Sequence, residues 1–421
     1  MAMTLIFLYL IGLYVRPQDW VPAFLGLPTA TIIIPLAMIG AVSNYMGSRE
    51  SFQLPQNRLL VFYLFVIFIS TFLETGVTNG FDQFVIFLKR IVVFYMVAWT
   101  LITPTRIHVT IWAVLLLSVF LAYQAYLQGT EGASWGGLTP YPGYTEIRVR
   151  WFGDWDGPNV FGILFVMSAA MALEFVFGPY SLMRRLLGIG LVSAFLTAIY
   201  FTNSRGAVLA LACATLFYFR DRFRRHPLGL ALAALALVGL FTFGPSRMSE
   251  LNSGESSAHE RTWLWEQGLT MLRENPVFGV GRGEFMHRVD LKLIAHNNYV
   301  QNFAETGLVG FSLFIAILWF CFRGCYLVAK PDSGSSPAMT SAARMAMSAI
   351  VGFAAATFFV VMELDLLYFV LGLSAAVYLV ARRENPNLPA LSFTRFDRMV
   401  IGGGVVGLIV LIWLAAVMQI L

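Results

Sequence analysis

Charged residues are scarce in this chain: Asp, Glu, Lys and Arg make up 12% of its 421 residues, whereas hydrophobic residues make up 58%. The mean hydropathy of +0.73 is too high for a water-soluble domain of this length. Apolar runs long enough to cross a hydrocarbon core of roughly 30 Å recur from one end of the chain to the other. The composition therefore excludes a soluble protein with a single anchor and predicts an all-α polytopic membrane protein.

Cysteine is also scarce, since the chain has only Cys213, Cys321 and Cys325, all within or beside apolar runs. This distribution implies neither a disulfide framework nor a thiolate metal site. No histidine or carboxylate pair has convincing zinc-ligand spacing, so we expect chemistry that uses no metal and no other cofactor. We expect membrane lipids as partners and no nucleic acid.

The apolar runs predict about 12 or 13 transmembrane helices. The first run, Thr4 to Val15, lacks the basic start and the small-residue cleavage site of a signal peptide, so we expect it to be a retained helix. Most basic residues fall on alternate loops, which predicts that those loops and the N-terminus face the cytoplasm. The predicted helices lie near residues 3–15, 29–46, 59–74, 84–102, 107–127, 160–178, 186–202, 205–219, 228–244, 303–327, 341–362, 365–381 and 399–420.

Two longer polar segments are predicted on the opposite face, at residues 128–159 and 245–300. In the second, apolar residues recur at helical spacing from Trp263 to Leu272, and the pattern breaks at Asn275–Pro276. This pattern predicts an amphipathic surface helix that leads into a glycine-rich turn. The chain thus divides into N-terminal membrane helices (1–244), a large loop expected to carry catalytic elements (245–300) and C-terminal membrane helices (301–421).

Arginines away from the basic loops are unusual, because the positive-inside bias works against them. In the stretch FTNSRGAVLALA, Arg205 lies in a very short connection between two apolar predicted helices. A charge near the middle of a membrane helix costs about 2.5–3.5 kcal/mol, so such a residue usually lines a cavity or meets an anion, unless it snorkels to the interface. Lys89 and Arg90, a few residues into a predicted helix, allow the same two interpretations.

A group of arginines with few acidic neighbours suits a phosphate ligand, because guanidinium forks match phosphate oxygens and stay charged. Cytoplasmic nucleotides are not available on the outer face, so the pattern favours a lipid diphosphate. Two short motifs resemble nucleotide-binding sequences but lack the structural context of such sites. We interpret the first, Asp154-Trp155-Asp156, as a segment that shapes a loop. We interpret GVGRG, Gly279–Gly283, as a tight turn that presents Arg282.

One histidine, His296, lies in a polar cluster at the entrance of an apolar helix, in the stretch AHNNYVQNFAETGLVG. With an unperturbed pKa near 6.5, a histidine can take a proton from a sugar hydroxyl as a general base, although many histidines are structural. The sequence leaves open whether Glu305, nine residues later, reaches His296 or turns into the bundle. The residues expected to orient the ring or to bind acceptor hydroxyls are Asn297, Asn298, Gln301 and Glu305.

The spacing in this stretch resembles the O-antigen ligase and polymerase superfamily, most closely its ligase branch. His296-Asn297 is followed by nine residues, Gly307, two residues and Gly310. The preceding NPVFGVGRGEF and the Ser204-Arg205 pair fit the same pattern, and GDWDGPNVFG fits it loosely.

This resemblance implies a GT-C-like glycan transferase of the bacterial inner membrane, with its active site facing the periplasm. Family members move a polymeric glycan from undecaprenyl diphosphate to an acceptor, here expected to be the lipid A–core oligosaccharide. By the same resemblance His296 is the base, Arg205 and Arg261 hold the diphosphate, and Arg282 or Arg288 assists. An O-antigen polymerase, a protein O-oligosaccharyltransferase and a lipid-linked glycan transporter are the alternatives. The oligomeric state stays open.

Overall fold

The computed structural model describes residues 2–45, 53–143, 146–225, 256–362 and 365–418, and these contain helices and turns but no strand. The helix predicted at 228–244 and the start of the large loop, residues 245–255, lie outside the described residues. The longer helices are α1 (Ala2–Tyr14), α2 (Thr29–Tyr45), α3 (Pro55–Thr75), α4 (Val77–Thr100), α5 (Pro104–Glu131), α6 (Pro158–Phe177), α7 (Leu182–Thr202), α8 (Arg205–Arg225), α9 (Ser256–Glu274), α10 (Asn298–Ala329), α11 (Pro337–Ala356), α12 (Asp365–Glu384) and α13 (Arg395–Met418).

Eight of the described helices are long and apolar enough to cross a membrane: α3, α5, α6, α7, α10, α11, α12 and α13. The helices α1 and α2 are apolar but shorter. These findings confirm an all-α, multi-pass membrane fold. The total of 12 or 13 crossing helices stays a prediction.

The helices α12 and α6 form the centre of the bundle. In their most apolar stretches of 18 residues, 89% and 83% of the residues are buried, compared with 28% in α7 and α13. The central helix α6 packs against α7, α8 and α11, and α12 packs against α4, α10 and α11. Helices from before and after the large loop therefore pack in one bundle. The three segments predicted from the sequence therefore describe the order of the chain and do not correspond to separate hydrophobic cores.

Two predicted helices near the large loop have different boundaries in the structure. The helix predicted at 341–362 ends at Ala356, because residues 357–362 leave the helix and bind Asn298: the Asn298 N–H donates to Thr357 O at 2.9 Å. The prediction ran too far because Phe358-Phe359-Val360 is as apolar as a membrane helix. The helix predicted from 303 begins at Asn298, so its first turn is polar.

The amphipathic helix predicted in the large loop is α9, which ends at Glu274, directly before Asn275–Pro276. Its apolar face, with Leu264 and Trp265 buried, packs against α10 and α13, while Glu266 and Arg273 are exposed. The large loop thus lies directly against the entrance of α10.

Candidate active site

The entrance of α10 is built around Asn297, which caps the helix. Its Oδ1 accepts hydrogen bonds from the N–H groups of Tyr299 at 2.9 Å and Val300 at 3.3 Å, two of the groups that a helix start leaves without partners. His296 directly precedes this cap with φ of 50°, a left-handed conformation that costs a non-glycine residue roughly 1–2 kcal/mol. Strained backbone of this kind is often found at functional sites.

The residue before His296 is held by two side chains. The indole Nε1 of Trp265 donates to Ala295 O at 3.0 Å, and the Ala295 N–H donates to Gln301 Oε1 at 2.9 Å. Both interactions are buried, so water does not compete with them. The backbone that carries His296 is therefore fixed by α9 on one side and by the first turn of α10 on the other.

Glu305 turns into the bundle and contacts a different part of the large loop. Its carboxylate accepts hydrogen bonds from Gln301 Nε2 and from the backbone N–H groups of Gly283 and Phe285, and Arg282 acts on it electrostatically. The link to His296 is indirect, through Gln301 and Ala295. Glu305 therefore connects the GVGRG turn, through Gln301, to the loop that carries His296.

The glycines of this turn have the backbone conformation that a tight turn requires. Gly279, Gly281 and Gly283 all have positive φ, from 72° to 94°. Arg282, between the last two, donates its N–H to Thr71 Oγ1 of α3 at 3.0 Å, and its guanidinium carbon lies 6.0 Å from the ring of Phe87. The predicted tight turn is therefore present, and a role of Arg282 in binding a diphosphate stays a prediction.

The first glycine of the sequence motif, Gly307, marks a break in α10. Gly307 has φ of 64°, and a Cβ on it would overlap the carbonyl of Val277. Residues 276–280 of the preceding loop form hydrogen bonds with the backbone at this break. The Val280 N–H donates to Ala304 O at 2.9 Å, and the Leu308 N–H donates to Pro276 O at 2.8 Å. The motif spacing therefore has a physical cause, since Gly307 is the point where the loop crosses the helix.

Arg261 on α9 is the cation that acts on His296. Burial, first, and the Arg261 guanidinium, second, hold the pKa of His296 below its usual value of 6.5. Among the described residues, the ring has no hydrogen-bond partner. The imidazole is therefore neutral at neutral pH and can accept a proton.

Arg205 begins α8, after a tight turn in which Asn203 has φ of 51°. The next residue, Gly206, lies against Phe359, since a Cβ on the glycine would be 2.8 Å from Phe359 Cβ. The adjacent Phe358 packs on Trp265 with ring centroids 5.4 Å apart. Residues 357–362 thus join the start of α8, helix α9 and the entrance of α10, and we call Arg205, Arg261, His296 and residues 357–362 the His296 cluster.

The other predicted cations have their described contacts elsewhere. Arg288 pairs with Glu74 at 2.5 Å, and its side chain is 43% exposed. Lys89 is exposed on α4, and Arg90 acts electrostatically on Asp365 at the start of α12. Roles for these residues in binding a diphosphate stay predictions.

Two parts of this arrangement were missed by sequence reasoning. Trp265 was assigned only to an amphipathic face, although its indole N–H holds the histidine loop. Residues 357–362 were assigned to a helix. The polar residues from Asn298 to Thr306 were a sequence signal for further polar contacts in the bundle. One such contact is the hydrogen bond that Asn302 Nδ2 donates to the Tyr63 hydroxyl. Among the described residues, no three His, Cys, Asp or Glu side chains are grouped as metal ligands; metal independence stays a prediction.

Comparison with known families agrees with this geometry. Residues 189–315 match the family model described as O-antigen ligase, a range that contains Arg205, Arg261, His296 and Gly310. No curated protein matches the chain. Members of this family are glycosyltransferase-like ligases and polymerases. The resemblance carried by the histidine motif is therefore confirmed, and the chain is a multi-pass membrane protein in which residues 189–315 are similar to the O-antigen ligase family.

Proposed function

We propose that this protein is an O-antigen ligase, which transfers O-polysaccharide from undecaprenyl diphosphate to the lipid A–core oligosaccharide on the periplasmic face of the bacterial inner membrane. The observation that carries the proposal is the partly buried His296 at the entrance of α10, on which the Arg261 guanidinium acts, within the matched family range. This pairing supplies a base for the acceptor and a cation for the leaving group.

In the proposed reaction, His296 removes the proton from an acceptor sugar hydroxyl. The hydroxyl oxygen forms a bond to the anomeric carbon of the donor, from the face opposite the diphosphate. The bond between that carbon and the diphosphate oxygen breaks, and its electron pair leaves with undecaprenyl diphosphate. The product has inverted anomeric configuration, and the proton remains on the imidazole until it passes to water.

Arg205 and Arg261 are proposed to bind the diphosphate. A guanidinium stabilises the negative charge that grows on the departing oxygen more than the charge of the bound donor, which is the requirement for catalysis. The positive charge of Arg261 also lowers the pKa of His296 and so keeps the base unprotonated. One residue therefore supports both halves of the displacement.

The contacts around Ala295 support a positioned base. Trp265 and Gln301 fix the backbone at Ala295, and Asn297 fixes it on the other side of His296. Because a general base must lie within hydrogen-bond reach of the proton it takes, this rigidity favours a catalytic role for the histidine.

The experiment that tests the proposal is deletion of the gene in its native host. Lipopolysaccharide is analysed on a gel, and polymer linked to the lipid carrier is measured in parallel. Loss of long O-chains from lipid A–core, with polymer accumulating on the carrier, is the expected result. Cores with a single repeat unit would instead identify a polymerase, and unchanged lipopolysaccharide with a lost glycoprotein would identify a protein-directed transferase.

A further inference from the structure

A second polar cavity, of about 120 Å³, lies between α1, α2, the turn at Gly153–Trp155 and the start of α12. It shares no residue with the His296 cluster. We call it the acidic cavity, after its two carboxylates. Its polar lining residues are Tyr9, Arg16, Gln18, Thr29, Asp154 and Asp365.

The walls of the acidic cavity are held in place by buried contacts. The Tyr9 hydroxyl donates to Asp365 Oδ2 at 3.0 Å, which joins α1 to α12. The buried Trp155 donates its indole N–H to Leu13 O at 2.9 Å, which holds the turn against α1. Arg16 lies 3.7 Å from the Asp154 carboxylate. The cavity is therefore a preformed site between three separate parts of the chain.

The walls of the acidic cavity carry acceptor oxygens with capacity for further hydrogen bonds. The Asp154 side chain is 42% exposed, and Gln18 Oε1 has no donor among the described residues. Asp365 accepts from Tyr9 through one oxygen, and a carboxylate has capacity for more hydrogen bonds than this. A ligand of this cavity must donate several hydrogen bonds.

Charge restricts the ligand further. Two carboxylates disfavour a phosphate, and Arg16, which pairs with Asp19 and lies 3.7 Å from the Asp154 carboxylate, already supplies a positive charge to this wall. A water molecule needs about 10–15 Å³ of such volume, so the cavity can accommodate several waters or one small polyhydroxylated ring. We infer that the acidic cavity binds a neutral sugar residue of the glycan substrate through its hydroxyl groups.

The position of the cavity fits a substrate that reaches His296. Met362 N–H donates to Asn298 Oδ1 at 3.4 Å, and Asn298 lies two residues from His296. Asp365 is three residues beyond Met362, a length of chain that spans at most about 11 Å. The acidic cavity and His296 therefore lie near the same end of the bundle, so one extended glycan is proposed to reach both. This inference rests on the proposed glycan-transfer function.

The test measures sugar binding by the full-length protein in nanodiscs. Methyl glycosides of glucose, galactose and N-acetylglucosamine are titrated, and binding is followed by saturation-transfer difference NMR. We expect Asp154→Asn and Asp365→Asn each to weaken binding by about tenfold, the effect of losing one hydrogen bond to a charged group. The matched control is Asp156→Asn, because Asp156 pairs with Arg150 at 2.8 Å and does not line the cavity.

The outcomes separate this inference from the proposed function. Wild-type affinities in both cavity variants, or no binding of any glycoside to the wild-type protein, would overturn the sugar assignment. Displacement of a bound glycoside by inorganic phosphate would also overturn it, since it would mark an anion site. A His296→Ala variant should bind the glycosides normally while losing transfer, and normal transfer by that variant would reject His296 as the base. Absence of transfer by the wild-type protein would reject the proposed function and leave the binding result intact.

Discussion

The His296 cluster and the acidic cavity are two polar regions of one apolar bundle, and they differ in the sign of their charge. Arginine is the charged residue that acts on His296, whereas two aspartates and one arginine line the cavity. In the proposed function a diphosphate binds at the first region, and the two carboxylates of the second region disfavour one there. We propose that one lipid-linked glycan is divided between the two regions, with its phosphates at the arginines and its hydroxyls at the carboxylates.

The two regions also differ in how the chain builds them. The loop that carries His296 is held partly by residues close in sequence, since Trp265 and Ala295 are 30 residues apart and Ala295 and Gln301 are 6 apart, whereas residues 357–362 reach it from farther along the chain. The Tyr9–Asp365 hydrogen bond of the acidic cavity joins residues 356 apart. A local motif can therefore reveal the first region, and the second depends on the whole bundle.

The largest expected effect on this comparison is that of His296→Ala. Loss of a general base should lower kcat about 10²–10⁴-fold, as measured by transfer from purified lipid-linked polymer to lipid A–core. The cavity variant Asp154→Asn should instead raise KM and leave kcat within about twofold. His287→Ala is the matched control, because His287 is exposed in the same loop. Equal loss of kcat in His296→Ala and Asp154→Asn would remove the distinction between the two regions.

The break in α10 at Gly307 should be the most sensitive structural point near the loop that carries His296. Gly307→Ala forces a left-handed alanine, at a cost of about 1–2 kcal/mol, and adds an overlap with the Val277 carbonyl. We expect a thermal unfolding midpoint several degrees lower, and a loss of transfer. Gly403→Ala on α13 is the control, since a Cβ there has no atom within 4 Å. An unchanged midpoint for Gly307→Ala would contradict the role given to this glycine.

The charge of Arg261 should be visible in the pH dependence of transfer. Because the pKa of His296 is lowered, the base stays neutral below pH 6.5, and the rate falls only as the pH passes down through the lowered pKa. Arg261→Gln removes one cause of the shift, so the acid limb should move to higher pH; burial remains, so it should stay below 6.5. Arg261→Lys keeps the charge and should leave the limb in place, and a pH profile of kcat/KM for each variant, which reports the free enzyme, measures the difference.

The smallest effect is expected for Arg288→Gln. Its pairing with Glu74 is a partly exposed salt bridge, which typically contributes about 0–1 kcal/mol, so stability and transfer should change little. Arg282→Gln should reduce transfer more, because Arg282 faces the Glu305 carboxylate that ties the turn to the histidine loop. A larger loss in Arg288→Gln than in Arg282→Gln, measured in the same transfer assay, would support the diphosphate role that the family resemblance implies for Arg288.

The sequence by itself determined the features that depend on composition and short-range pattern. Apolar runs predict membrane helices because the backbone must satisfy its own hydrogen bonds in lipid. The break at Asn275–Pro276 and the positive-φ glycines at 279, 281 and 283 follow from the conformational preferences of proline and glycine. The polar residues around His296 indicated a site because polar groups are costly at the entrance of an apolar helix.

Only the tertiary structure decided where Glu305 points, how residues 357–362 leave α11 to bind Asn298, and which residues meet across the bundle. A nine-residue separation on a helix does not state whether a side chain reaches the entrance, and Glu305 turns instead to the GVGRG turn. The pairing of Tyr9 with Asp365 has no signal in either local sequence, because it arises from the packing of α1 near α12. Long-range contacts of this kind depend on how helices are arranged, and that arrangement is a property of the folded chain.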